Sequence, residues 1–355
     1  MPRSLAEKLH AAGQQQLLRF WDELSPESRS QLAAQVEALD LNLVSQLYRQ
    51  QTDDGDLARL AAIAEPPPAI RLDHDDPEFT VDEARAAGEA LLAAGKVGAV
   101  LVAGGQGSRL GSDQPKGMFP IGPVSAKSLF QVLLEKILAT RQTYGRPVPL
   151  YLMTSPLTHD ETAAYLSEQE YFGLPKEEVQ LFCQGQMPAV DAATGEILLA
   201  EKDALALSPD GHGGMLAAMD AAGCLEDCRR RGVEQLFYFQ VDNPLCTVCD
   251  PALLGFHQLH QSEYSLQVVA KNDPLERVGN LVSCDGTLRI IEYSDLPEEA
   301  ARRCNEDGSL KLWGGSIAVH VFDVDFLQRA AQRTSAPPDH PARTAAAVAD
   351  AASVR

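Results

Sequence analysis

Apolar residues recur at three- and four-residue spacing through LAEKLHAAGQQQLLRFWDEL and again through SPESRSQLAAQVEALDLNLVSQLYRQ. That period predicts amphipathic helix from residue 1 to about 62. Ser25-Pro26-Glu27 between the two stretches reads as a helix start with proline in the first turn. The run EPPPAIRLDHDDPE at 65–78 is a connector, and VDEARAAGEALLAAG after it is another helix. From residue 97 the period changes. Short apolar runs at 97–103, 148–154, 179–184, 236–241, 266–271, 280–284, 287–293 and 316–322 predict strands. Helical stretches such as SLFQVLLEKILATRQTYG and THDETAAYLSEQEYFG separate the early ones. This alternation predicts an α/β fold: a mainly parallel sheet, helices on both faces and a helical N-terminal layer.

In such folds ligands sit outside the carboxyl ends of the strands. The first strand, VGAVLVA, runs straight into Gly104, Gly105 and Gly107. Glycines there let backbone N–H groups come close to a ligand and line an anion-binding hollow. Arg109 and Lys116 add two positive charges beside it, which is how a chain of phosphates is held. A glycine-rich turn with no ligand is the plain alternative. Known phosphate loops fit poorly. A dinucleotide fingerprint fails at Leu110, which leaves a nicotinamide-dependent oxidoreductase a distant reading, and Pro115-Lys116-Gly117 breaks a Walker loop.

Two more clusters follow. Phe239-Gln240-Val241-Asp242-Asn243-Pro244 puts a carboxylate at the end of an apolar strand. Hard oxygen suits Mg²⁺, which one or two carboxylates hold together with substrate phosphates. Asp242 as a turn cap is the other reading. In Leu207-Ser-Pro-Asp-Gly-His-Gly-Gly-Met215 the glycines again expose backbone, and His212 alone would pass for a turn residue.

The pattern GGxGSRLG followed by PK resembles the nucleotide-sugar pyrophosphorylases. Within them it is most similar to the eukaryote-type UDP-N-acetylglucosamine and UDP-sugar pyrophosphorylases. LMTSPLTHDETAAYL, YFGLPKEEVQLFCQGQMPAV, QVDNPL, VGNLVSCDGTLRIIEYSDL and GGSIAVHVF look like segments of that family in the same order, over roughly residues 80 to 328. The resemblance implies a nucleotide-sugar transferase fold and transfer of uridylyl from UTP to a sugar 1-phosphate with Mg²⁺. It further implies that Gly104, Gly105 and Gln184 contact the uridine. Arg109 and Lys116 would contact the phosphates, Gly213 the nucleotide and Asp242 the metal. His212, Gly279, Glu292 and Ser316 would face the sugar. Without the family, Glu292 reads as an exposed charge at a strand end.

The chain departs from the family in places. D-G-H-G-G stands where N-G-N-G-G is common, and Gly315-Ser316-Ile317-Ala318 stands where Gly-Asn-Ile-Ala is common. Both bear on the identity of the sugar, for which N-acetylglucosamine is the first expectation and glucose or a broad range the second. After Gln328 the chain turns to RAAQRTSAPPDHPARTAAAVADAASVR, and its last lysine is Lys311. The expected organisation is therefore a helical region at 1–95, a catalytic domain at 96–328 and an atypical disordered tail at 329–355 from truncation or a frameshift. A uridine-nucleotide-binding relative without catalysis is the reading from another class.

Composition trims the options. A net charge of −20 argues against nucleic acid, which needs a cationic face. It does not exclude UTP, because screening over about 8 Å leaves phosphate binding to local groups. No run of roughly 18 apolar residues spans a bilayer and no signal-peptide core opens the chain, so the expectation is a cytoplasmic protein. Seven cysteines lack disulfide-framework spacing, and Cys246-Thr-Val-Cys249 lacks two further zinc ligands. Buried free thiols are the expectation.

Overall fold

The computed structural model describes residues 3–50, 54–70 and 78–333. They fall into two compact units. The smaller joins the chain up to Asp54 with the segment Gly185–Gly214. Its helices are α1 (Arg3–Ala11), α2 (Pro26–Glu37) and α3 (Leu41–Gln50), and the larger unit begins at Gly55, the second residue of α4 (Asp54–Ile63). Helix is not continuous to residue 62 as expected. It stops at Ala11, Gly13 takes φ +69°, and short 3-10 turns follow at Gln15–Leu18 and Trp21–Glu23. The start at Ser25 is as read: its side chain accepts from Ser28 N–H, and Pro26 occupies the first turn.

The remaining elements are α5 (Val81–Ala94), β1 (Val97–Val102), α6 (Leu129–Tyr144), β2 (Leu150–Thr154), α7 (His159–Glu168) and β3 (Val179–Cys183). Next come β4 (Gln186–Pro188), β5 (Leu199–Glu201), β6 (Ala204–Leu205) and β7 (Leu207–Pro209), all in the smaller unit. The chain then continues through α8 (Met215–Ala221), α9 (Cys224–Arg231), β8 (Gln235–Gln240), α10 (Pro251–Leu259) and β9 (Tyr264–Ala270). It closes with β10 (Gly279–Cys284), β11 (Thr287–Ile291), α11 (Glu298–Ala301), β12 (Gly314–Asp323) and α12 (Val324–Arg333).

The helical stripes of the smaller unit find their partners in the distant segment. Leu5, Leu9, Leu17, Trp21, Leu32 and Val36 share a core with Ile197, Leu199 and Leu205. Buried Gln14 stitches the two: its Oε1 accepts from Ile197 N–H at 2.8 Å and its Nε2 donates to the Gly195 carbonyl at 3.1 Å. The compact units divide the chain at 54/55, 184/185 and 214/215. The reason is that an amphipathic helix cannot bury its stripe alone.

The larger unit holds a mixed sheet in the order β11-β10-β12-β8-β1-β2-β3, with β9 also on β12. The run β8-β1-β2-β3 is parallel. From β8 outward the pairings to β12, β9, β10 and β11 are antiparallel. Alternate residues go to opposite faces, as strand geometry requires. Ala99, Leu101, Leu152 and Phe239 pack under α5, α6, α7 and α10, and Val100, Tyr151, Met153 and Tyr238 under α8, α9 and α12. Both faces of the parallel run are covered, as its apolar runs predict. The β10–β11 hairpin turns on Asp285 and Gly286, both at positive φ (+50° and +76°). Asp-Gly between two strands is a hairpin signal that the sequence reading passed over.

α5 begins at a reciprocal Thr80–Glu83 cap and ends at Gly95 in the left-handed conformation. It lies against α10 with glycine on both sides. A Cβ on Gly88 would sit 1.9 Å from the Pro251 carbonyl oxygen, and one on Gly255 would sit 1.6 Å from that of Ala84. On the same α10, His257 is buried, with Nδ1 2.9 Å from Ser265 Oγ of β9 and Nε2 without a partner. Burial pushes its pKa down to about 4.

Residues 329–333, expected in a disordered tail, form the last turns of α12. The rest of that tail, 334–355, lies outside the described residues. Cys224, Cys228, Cys246, Cys249 and Cys284 are buried free thiols, as expected, whereas Cys183 is half-buried and Cys304 is exposed.

Candidate functional site

β1 and β8 are neighbours in parallel register, Val102 beside Gln240, so the segments leaving their carboxyl ends emerge together. The glycine loop leaves β1 and Asp242 follows β8. The loop folds back on itself: Gln106 bridges Pro115, Lys116 N–H donates to the Gly105 carbonyl at 2.9 Å, and Gly107 N–H donates to the Gln114 carbonyl at 2.8 Å. Gly107 therefore serves the loop's own shape, and a Cβ there would crowd Ser112 at 3.1 Å. The Lys116 side chain lies over Gly105, with Nζ 4.0 Å from where a Cβ would be, and ends 3.0 Å from Asp242 Oδ2. The candidate phosphate cation and the candidate metal carboxylate thus form an ion pair at the mouth of the loop. Its exposure, 22% for Lys116 and 53% for Asp242, leaves it open to a ligand. The backbone of Arg109 lies in the 3-10 turn Ser108–Leu110 of the same loop.

Gly104 needs its missing side chain. A Cβ would stand 2.7 Å from Gln184 Oε1, so the buried Gln184 carboxamide abuts the loop. Gln184 is carried there by β3, beside β2, and its N–H donates to the Thr154 carbonyl at 2.8 Å.

Three of the four residues expected at the sugar, Gly279, Glu292 and Ser316, meet in the antiparallel half. Gly279 faces Ser316 in the β10–β12 register. A Cβ on Gly279 would lie 3.4 Å from Glu292 Oε1, which puts that carboxylate over the glycine. The GSIA run is irregular: the β12 register to β9 shifts between Ser316 and Val319, and Ala318 takes φ +52°. Ser316 Oγ accepts from Ala318 N–H at 3.4 Å, holding this bulge.

His212 and Gly213 belong to the smaller unit, in the 3-10 turn His212–Gly214. A Cβ on Gly213 would meet nothing within 4 Å, so its backbone faces open space. The sequence reading missed Asp210 in this loop. Its carboxylate occupies the room left by two glycines: a Cβ on Gly185 would be 2.4 Å, and one on Gly214 2.1 Å, from Oδ2. Burial raises its pKa, and Oδ1 is buried without a partner. Aspartate at the first position of D-G-H-G-G was the signal for it.

Among the described residues no three of His, Cys, Asp and Glu are grouped to hold a metal. Asp242 is a single hard, accessible carboxylate. That fits Mg²⁺, which takes the rest of its shell from phosphates and water.

Residues 43–334 match the UTP–glucose-1-phosphate uridylyltransferase family. The chain belongs to that family. It is similar to UDP-N-acetylglucosamine diphosphorylase 1 of Arabidopsis thaliana: 36% identity, covering 93% of this chain and 68% of the relative. It is also similar to UDP-N-acetylhexosamine pyrophosphorylase-like protein 1 of Homo sapiens: 37% identity, covering 90% and 66%. The crystal structure of the uridine diphosphate N-acetylglucosamine pyrophosphorylase from Trypanosoma brucei superposes with a TM-score of 0.78 at 26% identity, covering 93% of this chain and 68% of that one. The chain thus spans about two thirds of the length of these relatives. For this uridylyltransferase family member, Gly104, Gly105, Lys116, Gln184 and Asp242 gather at one end of the parallel strands. Gly279, Glu292 and Ser316 gather on β10–β12.

Proposed function

We propose that this chain transfers uridylyl from UTP to N-acetylglucosamine 1-phosphate, releasing pyrophosphate and forming UDP-N-acetylglucosamine. The observation that carries the reading is the Lys116–Asp242 pair set over Gly105 at the glycine loop. An ion pair this exposed contributes no more than about 1 kcal/mol, so it yields readily to a phosphate and a cation. Lys116, Arg109 and the loop amides then bind the phosphates of UTP. Asp242 holds Mg²⁺, which when bound neutralises phosphate charge. Gly104 and Gln184 shape the uracil end. Glu292 accepts hydrogen bonds from sugar hydroxyls beside Gly279. A sugar phosphate oxygen attacks the α-phosphorus in line with departing pyrophosphate, and positioning with charge stabilisation supplies the catalysis. A cytoplasmic setting suits these substrates, and among the described residues no helix is long and apolar enough to cross a membrane.

Glucose 1-phosphate is the second reading. It is favoured by Ser316, which is short, lacks an amide and spends its hydroxyl on Ala318 N–H. The test is pyrophosphate release from UTP and Mg²⁺ with N-acetylglucosamine, glucose and galactose 1-phosphates in turn. Release with the first supports the proposal, and release only with another corrects the sugar. UTP binding with no release from any would leave a uridine-nucleotide-binding relative without catalysis.

A further inference from the structure

Lys271 is a buried charge that the chemistry above leaves unused. It directly follows β9 and is 7% exposed. Burial pushes its pKa below the usual lysine range, with Glu276 and Asp273 pulling it back up. An ammonium withdrawn from water needs acceptors. It has Asn280 Oδ1 at 2.5 Å and the Pro274 carbonyl at 3.4 Å. Asn280 is 2% exposed and passes the link on: its Nδ2 donates to the carbonyls of Val278 and Ile291, each at 3.3 Å. The backbone of Lys271 is fixed too, its N–H donating to the Trp313 carbonyl at 2.9 Å. One relay of two side chains therefore ties together the end of β9, the loop 272–278, the start of β10 and the end of β11.

Those are the segments that carry the sugar-side residues. Gly279 precedes Asn280 and Glu292 follows Ile291. Asn280 pairs with Ile291 on one side and Gly315 on the other, so Ser316 is one residue from the relay. A Cβ on Gly315 would stand 3.3 Å from Lys271 Cγ, so the lysine stem also fills the space beneath that glycine. An apolar side chain of the same length would fill it equally but would leave the Asn280 oxygen buried without a donor.

We propose that Lys271 is a positioning residue for the sugar end of the site. Its ammonium fixes the Asn280 carboxamide and through it the spacing of Gly279, Glu292 and Ser316. The assignment rests on the uridylyl-transfer reading. Lys271 acts through Asn280 and touches no reacting group, so its loss falls on the sugar phosphate and spares UTP.

The test is Lys271→Met in the full chain, with two readouts. The KM for the sugar 1-phosphate should rise about tenfold, the equivalent of one lost buried hydrogen bond, while the KM for UTP moves less than about twofold. Amide exchange at residues 279–281 and 290–293 should speed up about tenfold with β1 unchanged. An unchanged sugar KM, or equal rises for both substrates, overturns the assignment. If the unaltered chain releases no pyrophosphate, the functional reading has failed, and exchange alone decides: unchanged protection at Gly279 and Glu292 then refutes the brace. If Lys271→Met does not fold, Asn280→Ser removes the acceptor and leaves the lysine stem, and it must give the same split.

Discussion

The two halves of the main sheet hold their residues in different ways. In the parallel half, β1, β2 and β8 are buried along nearly their whole length, and the candidate side chains sit on the segments that leave them. Lys116 and Asp242 meet there because β1 and β8 are neighbours running the same way. In the antiparallel half, β9 is half-buried to exposed and β11 largely exposed, and the candidate residues lie in or beside the strands themselves. Gly279, Glu292 and Ser316 are brought together by register. The glycine-loop end, proposed for the phosphates, thus uses charge on loops from a rigid base. The β10–β12 end, proposed for the sugar, uses strand pairing, where a one-residue slip would turn each side chain to the other face.

The sharpest way to break this contrast is Lys116→Ala. If charge on the loop is what the parallel half contributes, kcat/KM falls by roughly 10²–10³ with the thermal midpoint little changed. Arg109→Ala should follow it. Near-normal turnover in either would remove the phosphate role.

Acid should then find the junction where α10 meets the antiparallel β9. His257 stays neutral in the fold down to about pH 4, whereas unfolded it titrates near 6.5. Above pH 6.5 both states are neutral and nothing changes. As pH falls from 6.5 to 4 only the unfolded chain gains the proton, and stability drops by up to about 3 kcal/mol. Denaturant midpoints at pH 7 and 4.5 should separate less in His257→Gln than in the unaltered chain.

Gly255→Ala probes packing rather than chemistry. The added methyl meets the Ala84 carbonyl, so the expected cost is about 1–3 kcal/mol in urea unfolding. A neutral result would mean that α5 and α10 separate freely. The smallest effect belongs to Ser316→Asn, which restores the amide common in the family. It should shift the ratio of kcat/KM for N-acetylglucosamine over glucose 1-phosphate upward by about tenfold or less, the scale of one hydrogen bond. A shift toward glucose would reverse the reading of that position.

The parallel half was legible in the sequence because each strand is a continuous apolar run set between helices. Val97–Val102 and Val179–Cys183 fall within a residue of expectation, Leu150–Thr154 within two. The clustering of Gly104, Gly105, Lys116, Gln184 and Asp242 follows from strand ends and needs no knowledge of register. The antiparallel pairings were harder to read, since β9 to β12 are not separated by long helices, and Asp285-Gly286 was their one local marker. Lys271 was invisible because lysine ordinarily lies at the surface, and only the fold reveals that it is buried. Asp210 was missed because its partners are glycines, which leave no side-chain signal. The N-terminal helices were over-read, since spacing alone does not report that Gly13 and the segment 185–214 interrupt and complete them.

The bare contact between α5 and α10 also constrains how the chain comes off the ribosome. Gly88 is made early and must wait for Pro251, roughly 10–30 s at synthesis rates of about 5–20 residues per second. Until then Leu91 and Leu92 lack part of the core they share with Leu254. The first half of this sheet is therefore born sticky, and the nascent protein is a natural client for whatever shields apolar helices during translation.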